Sequence, residues 1–415
     1  MSEHFDVLVA GAGVTGLSSA ALFARAGARV GLVAALTDSE PPQGDIALRT
    51  VAITPASARV LAAAGAWQYV DMTRVGSFTA MEVWDAGSVG RLAFAPDVLH
   101  TGPMGWIVEY QNLVAALHRA LARLPVTRIA HQVHTLERGA EAAVVLDDGG
   151  RLDGRLLIAA DGADSRLRTA AGITWEHHAY GQRAIVANVV TGEAHAAVAR
   201  QRFLPSGPLA FLPLADTHAS SVVWSCNDEL ATSLEQMDDA AFAAALGEAF
   251  ECRFGAVETV SPRAVFPLAR ARAERLVAGR LVLVGDSAHL VHPLAGQGLN
   301  LGLLDVAALV ECAGDVAPGN WPHPAALRRY ERWRKSEALA MTFVTDGLER
   351  LFAREERPLR WLRGAGLALT ARLPGAAGWL CAHAMGERGD LPRIARRSAA
   401  AALVSNPSLG QNSPP

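Results

Sequence analysis

Phe5 to Ala10 (FDVLVA) is a short apolar run that breaks at once into GAGVTG, Gly11 to Gly16, before the proline-free, Ala- and Leu-bearing stretch Val14 to Ala26. A buried parallel strand, a glycine turn and a helix in that order admit few folds. Gly11 permits the tight turn, Gly13 lets the backbone approach a pyrophosphate, and Gly16 lets the helix pack closely on the strand. The helix N-terminus then meets the phosphate charge. Taken alone, the pattern also fits an ordinary loop in a chain rich in alanine and glycine; its position closing the first strand favours the phosphate cradle.

One expected partner is missing. Ala28 to Val33 (ARVGLV) reads as the second strand, and the residue at its end should be acidic to bind the adenosine ribose hydroxyls. It is Ala34. Either Asp38 or Glu40, just beyond, reaches the ribose, or the hydroxyls are left to water and backbone. Somewhat weaker dinucleotide binding is expected.

Two further fingerprints follow. Leu156 to Ala160 in LLIAADGADSRLR fits a buried strand, Asp161-Gly162 its break into a turn, and Ser165-Arg166 the opening of a helix. A plain Asp-Gly turn is the simpler alternative, and the ordered set argues against it. Leu281 to Val284 (LVLV) is a third strand that ends at Gly285-Asp286, and Pro293 to Gly302 (PLAGQGLNLG) reads as a loop whose glycines allow close backbone approach to a flat ligand. Asp286 can accept hydrogen bonds from a polyol. His289 and His292 tempt as catalysts, but a histidine beside such a strand more often packs than reacts. One ligand spanning Gly11–Gly16 and Gly285–Asp305 is the reading that joins these segments.

In order and spacing the three segments resemble the class A flavoprotein monooxygenases, aromatic hydroxylases of the para-hydroxybenzoate hydroxylase type. That resemblance implies an α/β fold: a Rossmann-like FAD-binding domain, a β-sheet substrate domain and a helical C-terminal end. It implies that Gly11, Gly13 and Gly16 hold the FAD pyrophosphate, that Asp161 and Gly162 mark the segment shared by the FAD and NAD(P)H sites, and that Asp286 binds the ribityl chain. Pro293, Leu294, Ala295, Gly296, Gln297, Gly298, Leu299 and Asn300 would line the isoalloxazine ring, the first four beside flavin C4a. Arg49, in ALRTVAITPASARVL, matches the family arginine near the flavin and nicotinamide.

The resemblance narrows through MEVWD (Met81 to Asp85), GWIVE (Gly105 to Glu109), HAAVARQRF (His195 to Phe203), GPLAFLPL (Gly207 to Leu214), VVWS (Val222 to Ser225) and HPLAGQGLNLG. These look like the ubiquinone-biosynthesis hydroxylases over roughly residues 5 to 393. MEVWD, HAAVARQRF and the C-terminal segment with Ala384-Met385-Gly386 and Asp390-Leu391-Pro392 are most similar to the branch acting at C5 of a 2-polyprenylphenol. Two residues depart from the pattern: Ala34, and Tyr110 where the family usually has asparagine, so no asparagine contact is carried over there.

Ring hydroxylation with dioxygen is beyond ordinary side chains, so the cofactor carries the oxygen while the protein orients and shields it. The resemblance implies flavin reduction by NADPH or NADH, a C4a-hydroperoxyflavin formed with O2, and transfer of its distal oxygen to an electron-rich ring carbon of a polyprenylated phenol or quinol. Excluding water protects that adduct. No protein nucleophile is required, and no general base is identifiable.

The boundaries expected are a discontinuous FAD domain at 1–75, 100–180 and 270–345, a substrate sheet at 76–99 and 181–269, a helical region at 346–397 and a disordered tail at 398–415. Ala184 to Val190, Arg202 to Pro205, Leu209 to Leu214 and Ser221 to Ser225 read as its strands. Phe203, Phe211, Leu212, Pro213 and Trp224 face either a prenylated substrate or the core.

A 51% hydrophobic content with no uninterrupted apolar run of spanning length, and no basic leader before the first strand, predict a cytoplasmic protein. Cys226, Cys252, Cys312 and Cys381 lack metal-ligand spacing and read as free thiols. A net charge of -3 argues against nucleic acid. From Arg357 to Arg397, arginines alternate with Trp361, Leu369, Trp379 and other apolar residues. That pattern fits a helix on the inner membrane surface or against other ubiquinone-biosynthesis enzymes, and equally a packed C-terminal helix. Two alternatives to the hydroxylase remain: a non-hydroxylating FAD enzyme, although the Trp-x-Trp-x-Ile signature of flavin halogenases is absent, and a catalytically weak member of a biosynthetic complex.

Overall fold

The computed structural model describes residues 4–35, 40–86, 90–94, 102–137, 142–291, 297–314, 322–353 and 389–397. His292, the Pro293–Gly296 segment, Asp38, Cys381, most of the arginine-rich stretch after Arg357 and the tail lie outside them.

In chain order, β1 (His4–Ala10), α1 (Val14–Arg25) and β2 (Val30–Val33) form the opening unit. Next come β3 (Thr50–Ile53), α2 (Pro55–Ala63), β4 (Gly76–Phe78), β5 (Ala80–Asp85), β6 (Arg91–Phe94), β7 (Gly105–Glu109) and α3 (Tyr110–Leu121). They are followed by β8 (Val126–Ile129), β9 (Val133–Glu137), β10 (Ala142–Leu146), β11 (Arg151–Ala159) and α4 (Arg166–Ala170). The long β12 (Trp175–Thr191) leads to β13 (Val198–Leu204), β14 (Gly207–Pro213), β15 (Ala219–Asn227), α5 (Asp228–Gln236) and α6 (Asp239–Ala249). The remainder is β16 (Val257–Val260), β17 (Ala264–Ala273), β18 (Val277–Ala278), β19 (Leu281–Leu283), β20 (His289–Leu290), α7 (Gln297–Gly314) and α8 (Pro324–Ala353).

The first sheet runs β18-β19-β11-β1-β2-β8, with β10 and β9 added beside β11. Its centre is parallel and buried on both faces, which is why β1 and β2 read as unbroken apolar runs rather than alternating ones. The second sheet runs β20-β17-β12-β15-β14-β13-β5-β6, and β3-β7-β4 form a small third sheet. Local signals set several helix starts: Thr54 caps α2 by accepting Ser57 N–H with Pro55 behind it, and Asn227 and Asp238 cap α5 and α6.

Among the described residues, three apolar clusters hold the layers. The largest joins the first sheet to α1, α2, α3 and α7. A second lies between the large antiparallel-rich sheet and α5–α6, and a third between that sheet and the strands around Phe78 and Ile107. Among the described residues, no helix is long and apolar enough to cross a membrane.

Candidate functional site: three strand ends and the groove between the sheets

The three fingerprints meet at one edge. β1 pairs in parallel with β11, Ala10 opposite Ala159, and β11 with β19, Ala159 opposite Leu283. Gly11, Asp161-Gly162 and Gly285-Asp286 therefore leave the sheet side by side at the carboxyl ends of neighbouring strands, the ligand-binding edge of such sheets. The backbone stitches them together: Ala160 N–H donates to Ala10 O (2.8 Å) and Val284 N–H to Ala159 O (3.1 Å).

The turn is tight enough to demand glycine. Gly11 has φ +111, and a Cβ there would lie 2.2 Å from Ala160 O; at Gly16 it would lie 2.0 Å from Gly11 O. Asp161 spends one carboxylate oxygen on Leu167 N–H (3.3 Å), while its Oδ1 is buried with no partner among the described residues. Open helix N–H groups, a close backbone turn and an unmatched buried acceptor fit a dinucleotide that brings phosphate and hydroxyl groups to this edge.

Arg168 was not singled out by the sequence, although it ends the second fingerprint. Its buried guanidinium donates to Ser287 O (3.0 Å) and Ala163 O (2.7 Å) and stacks 3.8 Å over Trp175, locking the second fingerprint to the third.

At the third fingerprint the Asp286 side chain is exposed on a short turn whose neighbours Gly285 and Ser287 are buried. Desolvation by the protein around it pushes its carboxyl above the ordinary range, and the nearby His289 and Arg49 pull it back. Behind it lies a buried hub. Asp305 accepts Gly285 N–H (3.0 Å) and His289 Nε2 (2.6 Å) on one oxygen and Arg334 Nε (2.7 Å) on the other. Burial raises the Asp305 carboxyl, but His289 and Arg334 outweigh it and hold the group below the usual carboxylate range. His289 thus serves packing and anchoring. Tyr330, donating to Leu283 O (2.8 Å), ties the same strand end to α8.

The expectation of a loop through Gly302 is corrected: Gln297, Gly298, Leu299 and Asn300 open α7. The reason is packing. A Cβ on Gly302 would meet Gly285 Cα and Thr15 Oγ1 at 3.0 Å, so this glycine lets α7 touch α1 and the Gly285 turn rather than bend a loop. The buried Asn300 side chain clamps β3 to α2, accepting Thr54 N–H (3.0 Å) and donating to Ala52 O (2.7 Å).

Arg49 precedes β3 and lies over the Tyr110 ring, guanidinium carbon to centroid 3.7 Å. The preceding strap is pinned by Glu109, which takes two hydrogen bonds from Arg74 (2.6 and 2.8 Å) and one from Ala47 N–H (2.8 Å). Ala34 follows β2 as a buried residue, and Glu40 is exposed.

The substrate wall is redrawn. Phe211 and Trp224 belong to the cluster under α5 and α6, Phe211 stacked on Phe250 at 4.0 Å, and face away from residues 46–50. The β14–β15 register, with Leu209 opposite Trp224 and Phe211 opposite Val222, puts them on one face, and the helices that cover it come later in the chain. The opposite face meets residues 46–50: Ser221 Oγ lies 3.0 Å from Thr50 Oγ1, and Asn188 Nδ2 donates to Ile46 O (2.7 Å). Leu212 is half-buried on that face beside the Phe78–Ile107 cluster. Phe203 is buried and shares the strand face of Ala199, while Pro213 shares that of Phe211.

The FAD binding domain family matches residues 4–344. The ubiquinone hydroxylase UbiL of Rhodospirillum rubrum is 35% identical over 390 residues, covering 92% of this chain and 89% of that protein. The mitochondrial ubiquinone biosynthesis monooxygenase COQ6 of Homo sapiens is 34% identical over 378 residues, covering 78% of each. Among solved structures, p-nitrophenol 4-monooxygenase PnpA from Pseudomonas putida superposes with a TM-score of 0.76 at 19% identity, covering 94% of this chain and 100% of that one. PqsL from Pseudomonas aeruginosa, in complex with 2-aminobenzoylacetate, gives 0.74 at 25% identity, covering 89% and 100%.

Proposed function

This chain belongs to the FAD-binding monooxygenases of the ubiquinone hydroxylase family, and we propose on that premise that it hydroxylates the ring of a polyprenylated phenol or quinol at C5. The observation that carries the ring-hydroxylase reading is the 35% identity to a ubiquinone hydroxylase across 92% of the chain, and C5 rests on the resemblance of MEVWD, HAAVARQRF and the C-terminal segment. FAD, reduced by NADPH or NADH, supplies the oxygen activation that side chains lack.

The chain's own residues bind, orient and shield. The α1 N-terminus and Gly11–Gly16 turn take the pyrophosphate, and Asp286 accepts from the ribityl hydroxyls. Pro293 to Asn300 flank the ring system, and Arg49 adds positive charge beside it. The sheet face carrying Ser221, Asn188 and Leu212 closes the groove against water on the substrate side. A cytoplasmic enzyme touching the inner membrane, or sister enzymes, through residues 357–397 suits a substrate whose prenyl tail stays in the bilayer.

Complementation of strains that each lack one ubiquinone ring hydroxylase, with accumulated intermediates weighed by mass spectrometry, tests the reading. Rescue of the C5-deficient strain is expected. Rescue of another strain moves the ring position, and rescue of none by a protein that still holds FAD favours a structural member of the pathway, for which Ala34 is the motivating residue.

A further inference from the structure

Tyr110 lies in none of the three fingerprints, yet it joins the segment bearing Arg49 to the first of them. Its N–H donates to Arg49 O (2.9 Å), its ring carries the Arg49 guanidinium at 3.7 Å, and its hydroxyl accepts Val14 N–H at 3.2 Å. Val14 is the first residue of α1, so this N–H has no partner within the helix. The hydroxyl also lies beside the space left by the missing side chain of Gly13, where a Cβ would be 2.8 Å away. A pyrophosphate oxygen approaching the glycine turn would use that opening.

A phenol that accepts one N–H still has one proton to give, and none of the described residues takes it. Its surroundings select the acceptor. The positive end of α1 lies on one side and the Arg49 guanidinium on its face, so an anionic oxygen is favoured. Withdrawal of electron density by the stacked cation also strengthens the O–H as a donor.

We propose that Tyr110 is a direct pyrophosphate ligand in this groove, its hydroxyl donating to a phosphate oxygen while Arg49, held on its ring, adds the neighbouring positive charge. The inference rests on FAD occupying the groove. An asparagine at this position ends short of the phenol oxygen and offers Arg49 no ring, so a chain with asparagine here lacks the contact.

The test titrates FAD-free protein with FAD, ADP and riboflavin, following flavin fluorescence or heat, for wild type, Tyr110→Phe and Tyr110→Ala. Tyr110→Phe keeps the ring and removes only the hydroxyl. Its FAD and ADP dissociation constants are expected to rise together, roughly ten-fold or more, as for loss of one hydrogen bond to a charged oxygen. Riboflavin binding should stay at the wild-type value, and the melting temperature of the FAD-free protein should fall by no more than loss of the single Val14 N–H bond explains. Tyr110→Ala, which also frees Arg49, should lose more FAD affinity than Tyr110→Phe. An unchanged FAD constant in Tyr110→Phe overturns the proposal, as does an equal loss for riboflavin or a matching fall in melting temperature. Wild-type protein that binds no FAD would instead overturn the flavoenzyme reading on which it rests.

Discussion

Replacing Asp305 by asparagine should unsettle the molecule out of proportion to the one atom changed. Asp305 is fully buried and accepts from Gly285 N–H, His289 and Arg334, and Arg334 is itself only 1% exposed. The amide keeps one acceptor and turns the other into a donor, so either Arg334 or the Gly285–His289 pair is left facing an N–H. Arg334 has one other described acceptor, Leu301 O, at 3.5 Å. Stranding a buried charge in this way costs about 3–5 kcal/mol, against a native stability on the order of 5–15 kcal/mol. Urea unfolding of FAD-free protein, followed by tryptophan fluorescence, should show a loss of that size. FAD affinity should fall with it, because the turn bearing Asp286 loses its anchor. Adding Arg334→Met removes the stranded charge, so Asp305→Asn/Arg334→Met is expected to be more stable than Asp305→Asn alone. An Asp305→Asn protein within about 1 kcal/mol of wild type, or a double variant no better than the single, refutes the reasoning on a buried hub.

The same carboxylate gives the acid dependence its sign. Its folded value lies below the usual range near about 3.9, so on acidification the unfolded chain takes the proton first. Its contribution is complete at neutral pH and fades as pH falls through the lower folded value. Wild-type stability should therefore drop more steeply below about pH 4 than that of Asp305→Asn, as read by unfolding at stepped pH. Thiol labelling checks the sheet–helix core: burial pushes Cys226 up to about 11. At pH near 8, iodoacetamide should modify exposed Cys252 but not Cys226 or Cys312 in the folded protein. Labelling of Cys226 at the Cys252 rate would show that core to be open.

What the sequence revealed follows the range of the interactions involved. The strand–turn–helix at Phe5–Ala26 is specified by neighbouring residues, and the structure places it at His4–Arg25. The fingerprints at Asp161 and Asp286 are equally local. The opening of α7 at Gln297 was obscured because three glycines read as loop, whereas Gly302 is small for the sake of Thr15 and Gly285, far away in the chain. Alternation in β14 and β15 groups Phe211 with Trp224 without saying which side α5 and α6 will cover. The Asp305–Arg334 and Tyr110–Val14 contacts, 29 and 96 residues apart, leave no periodic trace.

The order β19-β11-β1 also has a consequence in time. Three neighbouring parallel strands are drawn from residues 4–10, 151–159 and 281–283, so the cofactor edge closes only after loops of well over a hundred residues have been brought together. Such long-range pairing is slow, and the unpaired strands stay exposed to aggregation until it is done. FAD, which recognises the finished edge, stabilises the native state by mass action and makes flavin supply a determinant of how much of the chain survives its own folding.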